Sequence, residues 1–332
     1  MNKPSSGCLS LVLFIVLCIS LGANMVLILV IGAKSTLPGN TYSEPKFSEE
    51  KLVSGSSSAK IAVISLRGII TYSEPGSIGD SMVQDLKFAF DQAGKDSKVK
   101  AVVLMVDSPG GEITAGDEIY HDLCLLREKK PVVVYMTSLG ASAAYYISCG
   151  SSWIMANEST FTGSIGVIIS TLNYENLFGK IGLQSVVFKS GAFKDMLSGT
   201  RPMTDAEKQY VQSLVMQAYD RFLGIVEKGR KISKQQLRDG IADGRVLTGM
   251  DAYKEKLVDQ LGYVEDAYAK AKELGKAPNA EVVQYTARYG FAHFLRILGK
   301  SQTPKLEVDI LKGMTPRLEA GRVYLLPAFY AP

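Results

Sequence analysis

The sequence predicts an α/β layered domain that follows an N-terminal transmembrane helix. Short apolar runs, typical of buried strands, alternate with segments of helical spacing between residues 60 and 226. Before them, no residue from Cys8 to Ala33 is charged. A chain of 332 residues with 46% hydrophobic content is also large enough to bury a substantial core.

The charge-free segment predicts a membrane anchor, residues 1–34. As a helix, the charge-free segment from Cys8 to Ala33 is roughly 39 Å long. This exceeds the roughly 30 Å thickness of the hydrocarbon core of a bilayer. A cleaved signal peptide is the alternative, because Leu21, Gly22 and Ala23 offer small residues near a cleavage point. We favour the uncleaved anchor, since the apolar region is longer than the usual h-region of about 7 to 15 residues.

The charges beside this segment set its orientation only weakly. Lys3 precedes it and Lys34 follows it, so the asymmetry slightly favours the N-terminus inside. We therefore expect a single-pass protein of the cell (inner) membrane, with its folded domain on the extracytoplasmic side.

Charge and cysteine content exclude several classes of function. The net charge of +4 arises from 37 basic and 33 acidic residues without a long run of either sign, which does not suit a nucleic-acid partner. Two of the four cysteines, Cys8 and Cys18, lie in the apolar segment, and Cys124 and Cys149 form no paired motif. We expect no disulfide framework, no metal and no cofactor.

The chain then passes through a linker into the folded domain. Residues 35–58 contain Pro38, Pro45 and a serine-rich stretch, which predicts a flexible tether. The domain, residues 59–275, begins with a strand over 60–66. A helix around 82–92 and a wholly apolar second strand over 101–106 follow.

Helices and strands alternate through the rest of the domain. The spacing predicts a helix over 112–130 that Pro131 ends, and a short helix over 142–148. Thr204 and Glu207 form a capping box at the start of a long helix that continues to Val226. Three further strands are predicted in this part of the chain: 132–136, 153–156 and 184–188.

The pattern weakens in the C-terminal extension and tail, residues 276–332. Phe291, Phe294, Leu295 and Leu298 make a narrow apolar stripe, which suits packing against the domain or a neighbouring subunit better than a membrane surface. The apolar tail over 323–329 is a candidate to enter a peptide-binding groove.

Ser142 is the candidate nucleophile. It follows a buried strand and opens a short helix, whose N-terminal amides and partial positive charge would stabilise an oxyanion. The Ala143 amide offers one donor, and Gly110 and Gly111 let another backbone amide approach. The alternatives are a plain helix cap for Ser142 and an ordinary turn for Pro109 to Gly111.

A serine hydroxyl needs a base, and the two histidines, His121 and His293, are poorly placed to supply one. A lysine serves if it is neutral, which requires a pKa lowered by roughly 3 units from about 10.4, or about 4 kcal/mol of desolvation. Lys194 is the candidate because apolar and small residues flank it.

Five ordered motifs carry a family resemblance. They are Asp107–Gly111, Gly140–Tyr146, Phe161–Gly166, Lys189–Asp195 and Ala242–Gly249. Together, over roughly residues 59–275, they resemble the single-domain bacterial type of the signal peptide peptidase A family.

The resemblance implies a Clp protease/crotonase-like fold of repeated ββα units. It also implies roles for five residues: Ser142 as nucleophile, Lys194 as general base, Ser164 as the lysine-orienting serine, and the amides of Gly111 and Ala143 as the oxyanion hole. The sequence departs from the family where Ala143 and Ala144 replace two glycines, so the neighbouring subsite is expected to be narrower.

The chain also lacks the tandem second half of the longer family members, in which serine and lysine lie in different domains. The resemblance therefore implies a homo-oligomeric ring with dyads shared between neighbouring subunits. The expected function is a membrane-anchored serine endopeptidase that degrades cleaved signal peptides and other extended apolar peptides. The alternatives are a crotonase-type acyl-thioester enzyme and a catalytically idle membrane scaffold.

Overall fold

The computed structural model describes residues 6–36, 47–72, 81–287 and 324–325. The chain divides into two compact units, 1–44 and 45–332. The first unit contains the helix α1 (Ser6–Thr36). Among the described residues, no helix meets the length and apolarity needed to cross a membrane, so the predicted transmembrane helix is not confirmed.

The second unit alternates strands and helices. Its strands are β1 (Phe47–Val53), β2 (Lys60–Arg67), β3 (Val99–Ser108), β4 (Gly111–Glu112), β5 (Val132–Ala141), β6 (Trp153–Ala156), β7 (Phe161–Gly163), β8 (Val246–Thr248), β9 (Gln260–Leu261), β10 (Glu281–Ala287) and β11 (Tyr324–Leu325). Its helices are α2 (Met82–Lys95), α3 (Ile113–Lys129), α4 (Ala143–Ser148), α5 (Glu175–Lys180), α6 (Asp205–Arg230), α7 (Lys234–Asp239), α8 (Gly249–Lys254) and α9 (Val264–Leu274). A 3₁₀ turn covers Ala192–Asp195.

A mostly parallel sheet forms the centre, in the order β1-β10-β2-β3-β5-β6-β9. Strands β2, β3, β5 and β6 pair in parallel, with helices in the connections between them. Only β1 runs antiparallel along this path, against β10. At the end of β5, β7 adds in parallel and β8 pairs antiparallel with β7.

Both faces of the sheet are covered, which explains why its central strands are apolar throughout. One face packs on α2, α3, α4 and α6, with buried residues such as Leu104, Ile119 and Phe222. The other packs on α9 through Ala267 and Ala271. The mixed α/β class predicted from the alternation is therefore confirmed.

The structure differs from the sequence prediction in three places. The strand predicted at 184–188 is wrong: these residues are exposed, and they belong to none of the strands in the part of the chain that the structure describes. Residues 47–53, assigned to the tether, form β1, and β10 lies beyond the expected domain end at 275. Strand β10 enters the sheet by pairing in parallel with β2. The apolar stripe over 291–298 lies outside the described residues.

Candidate active site

Ser142 stands at the junction of β5 and α4 with a strained backbone. Its φ of 56° and ψ of −117° lie in a region that favours glycine. The strand ends at Ala141 and the helix begins at Ala143, so the backbone passes from strand to helix within one residue. A non-glycine residue held in this way stores strain, which is common at functional sites.

The Ser142 hydroxyl is buried and has no hydrogen-bond partner among the described residues, although the residue occupies the cap position of α4. A cap role for the hydroxyl is therefore not seen; the Ser142 carbonyl instead accepts the Tyr146 amide at 2.8 Å. Ala143 is the first helical residue, so its amide has no acceptor within the helix.

Helix α4 holds this junction rigidly because all six of its residues are buried. The Tyr145 hydroxyl donates to the Leu257 carbonyl at 2.9 Å, and burial raises the pKa of Tyr145 well above its ordinary value. The Tyr146 hydroxyl donates to Asp117, which also pairs with Arg221. Burial raises the pKa of the Cys149 thiol to about 12, so this neighbouring cysteine is a poor nucleophile.

The glycine turn predicted opposite the serine lies between β3 and β4. Ser108 pairs with Gly140 across the sheet, and β4 contacts α4. Gly110 has a φ of 105°, and its amide donates to the Ser108 hydroxyl at 3.1 Å. At Gly111, a Cβ atom would lie 2.0 Å from the Ile70 carbonyl oxygen, so the close approach of these chains requires glycine.

Ser164 follows β7 directly beside the nucleophile junction. Ala141 pairs with Gly163, and the Ser142 amide donates to the Gly163 carbonyl at 2.9 Å. Ser164 is buried and has a φ of 49°. Its amide donates to the Arg245 carbonyl at 2.8 Å, which fixes it from the β8 side.

An extended segment of the chain already lies along the glycine turn. Strand β11 pairs antiparallel with β4, with Tyr324 opposite Glu112 and Leu325 opposite Gly111. This is how a peptide adds a strand to an open sheet edge. The sequence marked the region 323–329 as a candidate for such a groove.

Among the described residues, the Lys194 side chain makes no hydrogen bond to this cluster; it lies in the 3₁₀ turn near the end of a largely exposed segment that we call the arm, residues 168–199. The Lys194 side chain is exposed, and the Ser142 hydroxyl accepts nothing from it. The arm displays apolar side chains to solvent: Leu172, Leu177, Ile181, Leu183, Val186 and Phe188. Phe188 is 96% exposed, which is unusual for a stable monomer surface.

The structure therefore brings Gly111, Ser142, Ala143 and Ser164 to neighbouring strand ends, and among the described residues it shows no hydrogen bond from the Lys194 side chain to any of them. His121 is exposed on α3, and His293 lies outside the described residues. Sequence reasoning missed the bonding roles of Gly163 and Arg245. Both residues belong to motifs that carried the family resemblance. The motifs marked these positions as important but did not indicate which hydrogen bonds they form.

Comparison with known proteins identifies the family of this chain. The model of peptidase family S49 matches residues 125–277, and that of Clp protease matches residues 67–156. A protein of Enterococcus faecium named as a signal peptide peptidase SppA is 38% identical over 248 residues, covering 74% of this chain and 72% of that one.

Two further relatives are named as proteases. One from Methanocaldococcus jannaschii is 33% identical over 278 residues, 83% of this chain and 84% of its own. Protease 4 of Salmonella typhi is 40% identical over 220 residues, but these cover only 35% of that longer chain. With a Clp protease-like domain and relatives aligned along most of its length, the chain belongs to the serine peptidases of family S49.

Proposed function

We propose that this chain is a membrane-anchored endopeptidase that works through a Ser-Lys dyad of Ser142 and Lys194. The observation that carries the proposal is the Ser142 hydroxyl, buried and without a hydrogen-bond partner among the described residues, on a strained turn at a helix N-terminus. Such a hydroxyl is available to a base that the described residues of its own chain do not supply. Ser164 orients the lysine, and the Gly111 and Ala143 amides receive the oxyanion.

The dyad performs acyl transfer in two steps. The neutral amine of Lys194 takes the Ser142 proton as the hydroxyl oxygen attacks the peptide carbonyl, and then protonates the departing amine. Water next loses a proton to the same lysine and attacks the acyl-serine, which releases the acid and restores the hydroxyl. No cofactor enters this cycle.

The lysine comes from a neighbouring copy of the chain. Lys194 is exposed in its own chain and sits on an arm whose apolar side chains have no cover among the described residues. Packing that arm on a second copy buries its apolar surface and removes the ammonium from water, which favours the neutral base. Because each subunit both gives and receives an arm, the contacts are head-to-tail and close as a homo-oligomeric ring.

The substrate is an extended, largely apolar peptide that lies antiparallel to β4. The pairing of Leu325 with Gly111 shows that a strand fits there, next to the glycine amide proposed for the oxyanion hole. Small residues around Ser142 suit a shallow cleft that excludes bulky charged side chains. Cleaved signal peptides have this character, in accord with the name of the Enterococcus relative.

Membrane attachment is a part of the proposal that rests on the sequence alone. The uncharged residues from Cys8 to Ala33 lie in α1, and no structural observation supports a span there. Attachment on the extracytoplasmic side of the cell membrane would bring the site to peptides left in the bilayer. Carbonate extraction of cell membranes tests it: the full chain stays in the pellet, and release into the supernatant contradicts anchoring.

Subunit mixing tests the shared dyad. Ser142→Ala and Lys194→Ala are each expected to be inactive towards an unfolded apolar peptide. Co-assembled at equal amounts, they restore about a quarter of the wild-type sites if serine and lysine come from different subunits. They restore none if both residues act within one chain, and activity of Lys194→Ala alone removes it as the base.

The two alternatives predict different outcomes of simpler assays. A crotonase-type enzyme forms no covalent acyl-serine, so trapping of an acyl group on Ser142, read by peptide mass, excludes it. An idle scaffold cleaves no peptide, and wild-type turnover that Ser142→Ala abolishes excludes that reading.

A further inference from the structure

Asp195, the residue after Lys194, belongs to a cluster of four charged side chains with Lys189, Arg201 and Glu207. Arg201 donates to both oxygens of Asp195, from Nε at 2.9 Å and from Nη2 at 2.6 Å. It also donates to both oxygens of Glu207, at 3.0 and 2.5 Å. Lys189 donates to Asp195 at 2.7 Å, so Asp195 accepts from two cations.

The cluster is anchored at both ends of the 3₁₀ turn. Glu207 is 3% exposed and accepts the Thr204 amide in the capping box that starts α6. Lys189 also donates to the Ala192 carbonyl at 3.3 Å. Phe193 packs against Tyr210 of α6, with ring centroids 5.4 Å apart. The turn that carries Lys194 is therefore fixed to the first turns of α6.

The charges of this cluster balance without Lys194. Lys189 and Arg201 contribute two positive charges, and Asp195 and Glu207 contribute two negative charges, so the four sum to zero. Among the described residues, the Lys194 ammonium has neither a hydrogen bond nor an ion pair. The neighbouring carboxylate, one residue away, is fully engaged elsewhere.

We propose that Arg201 is a positioning residue that occupies the Asp195 carboxylate and so keeps it from pairing with the amine of Lys194. The inference rests on the proposed function, because it assigns a purpose to leaving that lysine unpaired. A carboxylate within about 4 to 6 Å of a cationic group favours its charged form by about 1 to 3 pKa units. A general base paired in this way would be protonated and idle at neutral pH.

The consequence of removing Arg201 follows from the charge balance. In Arg201→Ala, Lys189, Asp195 and Glu207 together carry one uncompensated negative charge. Lys189 still pairs with Asp195, but the net negative charge now lies one residue from the unpaired Lys194 and stabilises its ammonium. The acid limb of the kcat/KM profile reports ionisation of the base in the free enzyme. Its midpoint is expected to move to a higher pH by about one unit.

A double variant separates this electrostatic role from a structural one. Arg201→Ala combined with Asp195→Asn removes one charge of each sign, restores the balance and leaves no carboxylate beside Lys194. The midpoint of its acid limb is expected to return to the wild-type position, although three ion pairs are lost. A purely structural role would leave the double variant as impaired as the single one.

The experiment measures kcat/KM from pH 5 to 10 on the full chain with an unfolded apolar peptide. Arg238→Ala is the matched control, since it removes an arginine-aspartate pair with Asp220 on the α6–α7 surface and is expected to leave the limb unchanged. Arg201→Gln, which keeps donors but not the charge, replaces Arg201→Ala if the latter does not assemble, and the same shift is expected.

The outcomes distinguish the inference from the proposed function. If Lys194→Ala is inactive but the acid limb of a folded Arg201→Ala or Arg201→Gln stays in place, the positioning role is overturned and the dyad stands. The positioning role is also overturned if Arg201→Ala shifts the acid limb and the double variant does not return it to the wild-type position. If Lys194→Ala keeps wild-type activity, the dyad itself fails.

Discussion

The amide of Ser142 donates a 2.9 Å hydrogen bond to the carbonyl of Gly163. Because Ala141 and Gly163 are paired in parallel strands, Ser142 and Ser164 follow at the same edge of the sheet. Both serines have positive φ and both are buried. Two strained, buried serines in adjacent registers are difficult to explain by packing alone, since glycine would adopt the same φ without strain.

Replacing Ser142 by alanine is expected to abolish peptidase activity and to change the free energy of unfolding little. The hydroxyl has no partner, so its removal breaks no hydrogen bond. Ser148→Ala is the control: its hydroxyl donates to the Ala144 carbonyl at 2.7 Å, so its loss costs about 1 kcal/mol while activity remains. Urea unfolding and peptide turnover measure both effects, and a large loss of stability in Ser142→Ala would contradict the unpaired hydroxyl.

Ser142→Gly is expected to be more stable than Ser142→Ala by about 1 kcal/mol, although both are inactive. Glycine adopts the φ of 56° without the steric cost that alanine bears. Since both variants lack the hydroxyl, the difference in their urea midpoints reports the backbone strain less the extra conformational entropy that glycine loses on folding. A lower urea midpoint for Ser142→Gly than for Ser142→Ala would show that the junction is not strained.

The sequence predicts the strands that are buried within their own domain better than the apolar segments that are not. The strands β2, β3 and β5 are predicted well because burial on both faces makes them continuously apolar. Residues 184–188 have a similar apolar character, yet they lie exposed on the arm. The apolar pattern indicates that these residues are buried, but it does not indicate what buries them. We propose that a neighbouring subunit covers them.

The candidate site was predictable to the extent that its residues lie in motifs. Ser142, Ala143, Gly111 and Ser164 stand where strands end, and the structure places them at one edge. The charge cluster of Arg201 was not predictable, because its ion pairs depend on how the arm returns to α6. Strand β1 was missed because Ser48, Glu49, Glu50 and Lys51 are polar, as befits an edge strand.

Gly111→Ala is expected to reduce both activity and stability. The added Cβ would meet the Ile70 carbonyl oxygen at 2.0 Å, so the chain must move at the amide proposed for the oxyanion hole. Loss of one such donor lowers kcat by about 100-fold or more. Gly94→Ala is the control, because its Cβ would make only ordinary contacts at 3.6 Å and helix propensity improves. Unchanged kcat in Gly111→Ala would exclude this amide from the site.

Removal of residues 318–332 is expected to lower KM for peptide substrates, by about two- to tenfold, with kcat little changed. Tyr324 and Leu325 pair with β4, where we propose that substrate lies, and a tethered segment competes at high effective concentration. A synthetic peptide of residues 318–332, added to the shortened chain, is expected to inhibit competitively. An unchanged KM together with no inhibition would show that substrate binds elsewhere.

Arg201→Ala is expected to lose more stability at neutral pH than in acid. Arg201 and Lys189 lower the pKa of Asp195, and Arg201 together with the Thr204 amide lowers the pKa of Glu207 from 4.5 to about 2. A carboxyl whose pKa is depressed on folding stabilises the fold fully above its unfolded pKa, and loses that contribution as pH falls towards its folded pKa. The deficit in Tm of Arg201→Ala relative to wild type is therefore constant above about pH 5 and shrinks between about pH 4.5 and 2.

Arg238→Ala, which breaks a half-exposed pair, is expected to show a smaller deficit in Tm at every pH. Thermal unfolding at pH 7, 5, 4 and 3 measures this, and a deficit that is the same at pH 7 and pH 3 would exclude these ion pairs as its cause.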